Sequence, residues 1–345
     1  MRFLQSRHNK LVFDGKDLTN CETPFFVFSR KIIKQQHQKL KKAFNAEILY
    51  SFKTNPHSKI IRFLHELGCG FTICSIEELE QIRKMIKNPK ISFLNPGAGL
   101  SNLNIKDVVV DSESQLEKIN KQEHNIWLRI NTILDKDSLL GVSIERADEI
   151  AKKVNLHGIH NHLKTQNTNL KLWKTNIKKL TDFAKKHKIE NINIGGGFPI
   201  PYLKKVPSLE QIADAVKPFL SGFSITIEPG RYIAAPSGVL LTKVRLIKKL
   251  KNKNIAILDA SVYNSSMDTI IMNQELPCLV ANKMDKKQTT EYVLRGCTPD
   301  SLDVFRKKVK LPKLHEGDII AFMNAGAYTF ASDFLSLKKP EAYFI

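Results

Sequence analysis

The stretch Ala46-Glu47-Ile48-Leu49-Tyr50-Ser51-Phe52-Lys53-Thr54-Asn55-Pro56 sets one lysine at the end of an apolar run. Ile48 to Phe52 reads as a buried strand, and Asn55-Pro56 ends it. An ammonium there is costly unless it is paired, loses its proton or is consumed in a covalent bond. A lysine at a strand terminus is one way to hold an aldehyde as a Schiff base. The competing reading is a lysine whose stem lies on the core while its head reaches water. Position alone leaves both open.

Working outward, short β-rich runs alternate with helical patterns from residue 24 onward. After the lead-in Pro24-Phe25-Phe26-Val27-Phe28, strands are expected to start near Ile48, Gly70, Ile91, Val108, Ile126, His157, Ile192 and Ser224. Amphipathic segments at 57–67, 76–87, 113–121, 144–154, 168–187 and 207–219 lie between most of them. Eight strands with helical crossovers predict a (β/α)8 barrel over about residues 24–240, with a doubly wound open sheet as the competitor. Beyond residue 240 the texture changes. Val239–Ile247, Ile255–Leu258 and Ile319–Met323 read as strands without regular helices between them. This predicts an all-β domain over 241–345, joined by about residues 1–23.

The chain has 345 residues, 42% hydrophobic and 26% charged, as expected of a globular protein with a sizeable core. No apolar run reaches membrane-spanning length, and Met1–Lys10 lacks the apolar centre of a secretion signal, so a cytoplasmic protein with no membrane partner is expected. Cys21, Cys69, Cys74, Cys278 and Cys297 are odd in number and widely spread, which suggests reduced thiols and no metal site. The net charge of +20 is scattered over helix faces, as in Lys171–Lys179, without a nucleic-acid-binding motif. We therefore expect a solvated lysine-rich surface and no nucleic-acid partner.

Three motifs fall at the ends of predicted barrel strands, where barrel enzymes place their loops. In Asn193-Ile194-Gly195-Gly196-Gly197-Phe198-Pro199, three glycines remove the side chains from a turn and let backbone N–H groups approach a phosphate. A tight barrel turn would explain them equally. In Ile227-Glu228-Pro229-Gly230-Arg231, Glu228 would bond a protonated pyridine nitrogen while Arg231 faces a phosphate. The alternative is a plain Glu–Arg salt bridge. In Gly158-Ile159-His160-Asn161-His162, strand alternation puts both histidines on one face, so that one imidazole could stack on a flat cofactor. Against this stands an ordinary core or surface histidine.

Taken in order with Tyr50–Asn55, these motifs resemble those of the fold-type III pyridoxal-phosphate decarboxylases, the ornithine/diaminopimelate decarboxylase family. Further matches are Phe71-Thr72-Ile73-Cys74-Ser75 with Glu78, Asn95-Pro96-Gly97, Leu128-Arg129-Ile130-Asn131 and Ala325-Gly326-Ala327-Tyr328-Thr329. The resemblance covers almost the whole chain and implies an alanine-racemase-like barrel binding pyridoxal 5'-phosphate. It implies that Lys53 is the Schiff-base lysine and that His162 stacks on the cofactor ring. Gly195, Gly196, Gly197, Arg231 and Tyr328 match phosphate-side positions, Glu228 the acid at the pyridine nitrogen, and Arg129 an arginine lining the cofactor pocket. Asp300, in Gly296-Cys297-Thr298-Pro299-Asp300, matches a substrate-binding position contributed by the partner subunit of a homodimer with shared active sites. Cys297 matches the catalytic cysteine of that motif only approximately.

The departures are specific. The family commonly reads Gly-Pro-Thr-Cys-Asp/Glu where this chain has Gly296–Asp300, so the cysteine is displaced by two residues. Thr72 and Asn193 stand where the family has aspartates, and Lys164-Thr165 where it has Gly-Ser. The carboxylate Glu228, where racemases of this architecture carry arginine, favours decarboxylation of an L-amino acid. Asp259–Asp268 contains no arginine of the kind a diaminopimelate enzyme uses, and Asp300 favours a distal amine, so an ornithine- or lysine-like substrate is expected. Asp259 is offset from the second aspartate of ornithine enzymes. A citrate-type siderophore precursor, diaminopimelate, amino-acid racemisation and a non-catalytic cofactor-binding homologue are the alternatives.

Overall fold

The computed structural model describes residues 4–7, 9–19, 21–97, 104–133 and 139–345. Of the stretch read for a secretion signal, residues 1–3 and 8 lie outside the described residues. Among the described residues, no helix is long and apolar enough to cross a membrane.

Eight parallel strands form the first unit: Glu47–Ser51, Gly70–Ile73, Ile91–Phe93, Asp107–Val110, Asn125–Asn131, Gly158–His160, Asn191–Asn193 and Ser224–Ile227. The eighth pairs with the first through Thr226–Glu47 and Ile227–Ile48. That pairing closes the barrel and removes the open-sheet alternative. Each strand splits its residues between two surfaces. Ile48, Tyr50, Phe71, Ile73, Val108, Leu128, Ile159, Ile192 and Ile227 are buried outward, beneath the helices. The inward row is polar: Ser51 pairs with Thr72, Thr72 with Ser92, Ser92 with Asp107 and Asp107 with Asn125. Barrel interiors are ordinarily filled by branched apolar side chains. Here the main apolar core is the helix–sheet shell, and the lumen holds this polar row beside Leu49, Val109 and Trp127.

The helices follow the amphipathic pattern: Ser58–Glu66, Ile76–Met85, Glu113–Lys118, Ile144–Ala151, Leu170–Lys186 and Leu209–Leu220. Arg30–Phe44 precedes the first strand, started by the Ser29 hydroxyl, which accepts from Ile32 N, and ended by Asn45 at φ 47°.

The second unit is built on the 13-residue strand Gly238–Leu250. Its first half pairs antiparallel with Phe25–Phe28 and Ile319–Met323, and its second half with Lys253–Leu258. The lead-in Phe25–Phe28, grouped on sequence with the barrel, thus runs in the second sheet. The N-terminal hairpin, Leu4–Arg7 with Lys10–Phe13, also joins this unit: Leu11 N donates to Ala281 O at 2.7 Å, and Leu11 and Phe13 pack with Phe25, Val239 and Ala321. Two one-turn helices, Val262–Ser265 and Asp268–Ile271, interrupt the expected all-strand texture.

Candidate active site

Lys53 lies on a one-turn 3-10 helix, Phe52–Thr54, that follows the first strand. The strand ends at Ser51, Phe52 and Thr54 fill the core, and Lys53 is exposed. Of the two readings of the apolar run, the lysine whose head reaches water is the one found: the turn lifts Lys53 out of the strand. Both sides of the turn are fixed. Tyr328 N donates to Thr54 O at 2.7 Å, Asn55 Nδ2 to Gly326 O at 2.8 Å, and Ser51 Oγ to Glu228 O at 3.0 Å. Tyr328 holds φ 58°, a conformation bulky residues rarely adopt. The Lys53 charge acts on Cys74, Glu78 and His162 around it. Among the described residues it has no ion-pair partner.

Glu228 follows the eighth strand and is 5% exposed. Burial by itself raises a carboxyl pKa; here His160 and His162, with the amide of Asn193, outweigh it and hold Glu228 down to about 2. His160 Nε2 donates to Glu228 Oε2 at 3.2 Å and Asn193 Nδ2 to Oε1 at 2.9 Å. Asn193 Oδ1 accepts Gly195 N at 2.9 Å. This explains Asn193 in place of an aspartate. The amide donates to Glu228 and accepts from Gly195, whereas a carboxylate would repel Glu228. The sixth strand ends at His160, so His162 stands beyond it and does not continue the strand alternation.

All three glycines are required by close approach. A Cβ on Gly195 would strike Asn161 O; on Gly196 it would stand 2.5 Å from Glu228 O, and on Gly197 2.7 Å from Lys164 O. Gly195 and Gly197 also hold φ 69° and 88°. Gly196 N donates to His162 Nδ1 at 3.1 Å. In neutral His162 the proton is therefore on Nε2. Desolvation pushes the His162 pKa down to about 4, against the pull of Glu228, so the ring is neutral at pH 7.

Arg231 does not pair with Glu228, and the simple Glu–Arg bridge is absent. Its Nη1 is bonded to Asp268 and, at 2.9 Å, to the Tyr202 hydroxyl, and its guanidinium lies 4.8 Å from the centre of the Tyr328 ring. Nε is buried without a partner. Arg129, at the end of the fifth strand, is 7% exposed; burial lowers its pKa, opposed by Asp111 and Glu228. Thr72 cannot supply the charge of the aspartate it replaces, and Asp111, with one buried oxygen unpartnered, faces Arg129 instead. Arg129, His162, Lys164 and Thr165 line a cavity of about 410 Å³.

Cys297 and Asp300 stand apart. They occupy the 296–303 loop of the second domain, organised by buried Asp303, which accepts from Val262 N, Thr298 N and Thr298 Oγ1. Exposed Cys297 lines a different cavity, with Asp259, Asn264 and Lys338. The displaced cysteine is not re-routed to Lys53 within one chain. Burial and the neighbouring Asp300 raise the pKa of the Tyr263 hydroxyl. Asp259 is committed to Lys243 N and Thr23 Oγ1. Sequence reasoning missed Asp268, Tyr202, Asp111 and Asp303. Each acts on a partner remote in sequence or through backbone, which no local motif announces.

The profile described as "Pyridoxal-dependent decarboxylase, pyridoxal binding domain" matches residues 30–235. The chain belongs to this decarboxylase family. It is 28% identical to the diaminopimelate decarboxylase of Aquifex aeolicus over 99% of this chain and 91% of that protein. It is 30% identical to a probable ornithine decarboxylase of Dictyostelium discoideum, covering 97% and 82%. The crystal structure of the Methanocaldococcus jannaschii diaminopimelate decarboxylase with L-lysine superposes with a TM-score of 0.88 at 25% identity, covering 99% of this chain and 92% of that one.

The residues of this decarboxylase-family protein fit pyridoxal 5'-phosphate. Arg231 Nε is an orphaned buried donor, Glu228 is an anion with lone pairs left for one more donor, and the glycine turn carries no side chain that would cover its backbone N–H groups. Lys53 offers an unpaired amine at the same mouth.

Proposed function

We propose that this protein is a pyridoxal-phosphate-dependent carboxy-lyase acting on an amino acid whose far end carries an ammonium, as in lysine, ornithine or diaminopimelate. One observation carries the reading: an unpaired Lys53 and an anionic, buried Glu228 face the mouth of one barrel, with neutral His162 between their loops. The named activities of the Aquifex and Dictyostelium relatives agree with it.

When bound, the cofactor supplies a ring that withdraws the electrons left on Cα as the carboxylate departs. Lys53 is the amine that would hold its aldehyde group. Glu228, kept anionic by His160, His162 and Asn193, would accept a hydrogen bond from its ring nitrogen and hold a proton there. His162, neutral, would border the ring and help exclude water. Gly195, Gly196, Gly197, Arg231 and Tyr328 hold the phosphate side, and Arg129 lines the ring pocket. Asp300, and Cys297 beside it, act from the partner subunit of a homodimer, since one chain does not bring them to Lys53.

The test is CO₂ release by the purified protein from lysine, ornithine, arginine, diaminopimelate and citryl conjugates. CO₂ from a substrate with a distal ammonium is expected. No CO₂ from any of them, despite bound cofactor, overturns the reading. Solvent deuterium entering Cα without CO₂ marks a racemase instead.

A further inference from the structure

A cavity larger than the one lined by Arg129 and His162 is also present. It lies at the opposite end of the barrel, encloses about 930 Å³, and is bounded by the first residues of the strands and the turns that feed them. Its floor is the polar inward row. Ser92, Asn193 and Thr226 contribute short polar side chains to it, beside the apolar Leu49 and Trp127. Ser92 and Thr226 are only 3% and 5% exposed, and their hydroxyls make no hydrogen bond among the described residues. Both residues line the cavity, so these hydroxyls are open to water or to a ligand.

The mouth of this cavity is cationic. Arg83, Lys87, Lys90 and Lys106 ring it. The two acids present are already engaged: Glu47 pairs with Lys90 at 2.6 Å, and Asp107 accepts from Asn125 Nδ2 and Trp127 Nε1 at 3.0 and 3.1 Å. Among the described residues, Arg83, which donates to Asn104 O at 2.6 Å, Lys87 and Lys106 have no acid partner, so their charge is available to an anion.

We propose that this floor is a second binding site, for a small phosphorylated polyol. Its hydroxyls would meet Ser92, Thr226 and the Asn193 side, and its dianionic phosphate would lie among Arg83, Lys87 and Lys106. The volume lies within the range of small-molecule sites, roughly 300–1,000 Å³. Sugar phosphates and nucleoside monophosphates share this chemistry, and Trp127, with His157 against its ring at 5.3 Å, offers a base a flat neighbour. The site touches the catalytic end through one residue: Asn193 lines this cavity and donates to Glu228.

The test is calorimetric titration of the full-length, cofactor-loaded protein at low salt with ribose 5-phosphate, adenosine monophosphate and inorganic phosphate. At least one organic phosphate is expected to bind about tenfold tighter than inorganic phosphate, and to weaken about tenfold in the surface variant K87E/K106E. Thermal melting of that variant checks that it folds. Thr226→Val, which keeps the shape and deletes the hydroxyl, is expected to weaken the organic phosphate and leave inorganic phosphate unchanged. Neither organic phosphate binding tighter than inorganic phosphate, or binding unmoved by K87E/K106E, overturns the site. Preference for one organic phosphate decides between sugar and nucleotide. These binding readouts do not depend on which amino acid is decarboxylated.

Discussion

Arg231 is bonded to Asp268, a residue of the second domain, and not to Glu228 three positions before it. Both partners are nearly buried, with side chains 5% and 11% exposed, so the pair ties the cofactor end of the barrel to the all-β unit. It also leaves Glu228 to be governed by His160, His162 and Asn193.

Removing one member of a buried pair strands the other charge. Asp268→Ala is expected to cost about 3–5 kcal/mol of stability and to weaken cofactor binding, whereas Asp268→Asn, which keeps a hydrogen bond, costs less. Denaturant unfolding with and without pyridoxal phosphate measures both. An Asp268→Ala protein as stable as the wild type would show that the pair is not a structural tie.

Glu228→Gln keeps the shape and removes the charge. Its CO₂ release is expected to fall roughly 100- to 1,000-fold while the cofactor remains bound. Retained activity would remove Glu228 from the mechanism.

Lys53 is exposed and makes no ion pair among the described residues, so Lys53→Ala is expected to leave stability within about 0.5 kcal/mol of wild type. The same change abolishes the borohydride-sensitive absorbance near 420 nm that a covalently held cofactor gives, and with it the activity. A melting temperature well below wild type would mean that the lysine has a structural role.

Acid stability has a defined sign. His162 titrates near 4 when folded against an ordinary 6.5, so the unfolded chain binds the extra proton, and stability is lost as pH falls from 6.5 to 4. Glu228 titrates near 2 against 4.5, and its contribution is present above 4.5 and lost from there downward. Melting temperatures of the wild type should begin to fall below pH 6.5. In His162→Gln that upper part of the fall should shrink, with the rest carried by His37 and His57, whose pKa values burial also lowers.

Shared active sites give an arithmetic result. A 1:1 mixture of Lys53→Ala and Asp300→Ala proteins, each inactive, should regain about a quarter of wild-type CO₂ release, because half of the dimers are mixed and each mixed dimer has one intact site. No recovery after subunit exchange is confirmed would place Asp300 in its own chain's site.

The sequence by itself determined the alternation of eight strands with amphipathic helices, since these are local patterns, while closure into a barrel came only with the pairing of the eighth strand to the first. It also placed Lys53, His162, the glycine turn and Glu228 at strand ends, because strand ends are read from the residues beside them. It did not determine what those residues touch. The 3-10 turn that exposes Lys53 is fixed by Tyr328 and Gly326, from the far end of the chain. The charge of Glu228 is set across three strands by His160 and Asn193, and Arg231 is claimed by Asp268. Asn193 and Thr72 looked like departures from a family pattern. Only the closed barrel shows that the first donates to Glu228 and that Asp111 faces Arg129 in place of the second. The physical reason is common to all of these: hydrogen bonds and charges act over a few ångströms, and which groups come that close is decided by closing the barrel and docking the second domain on it.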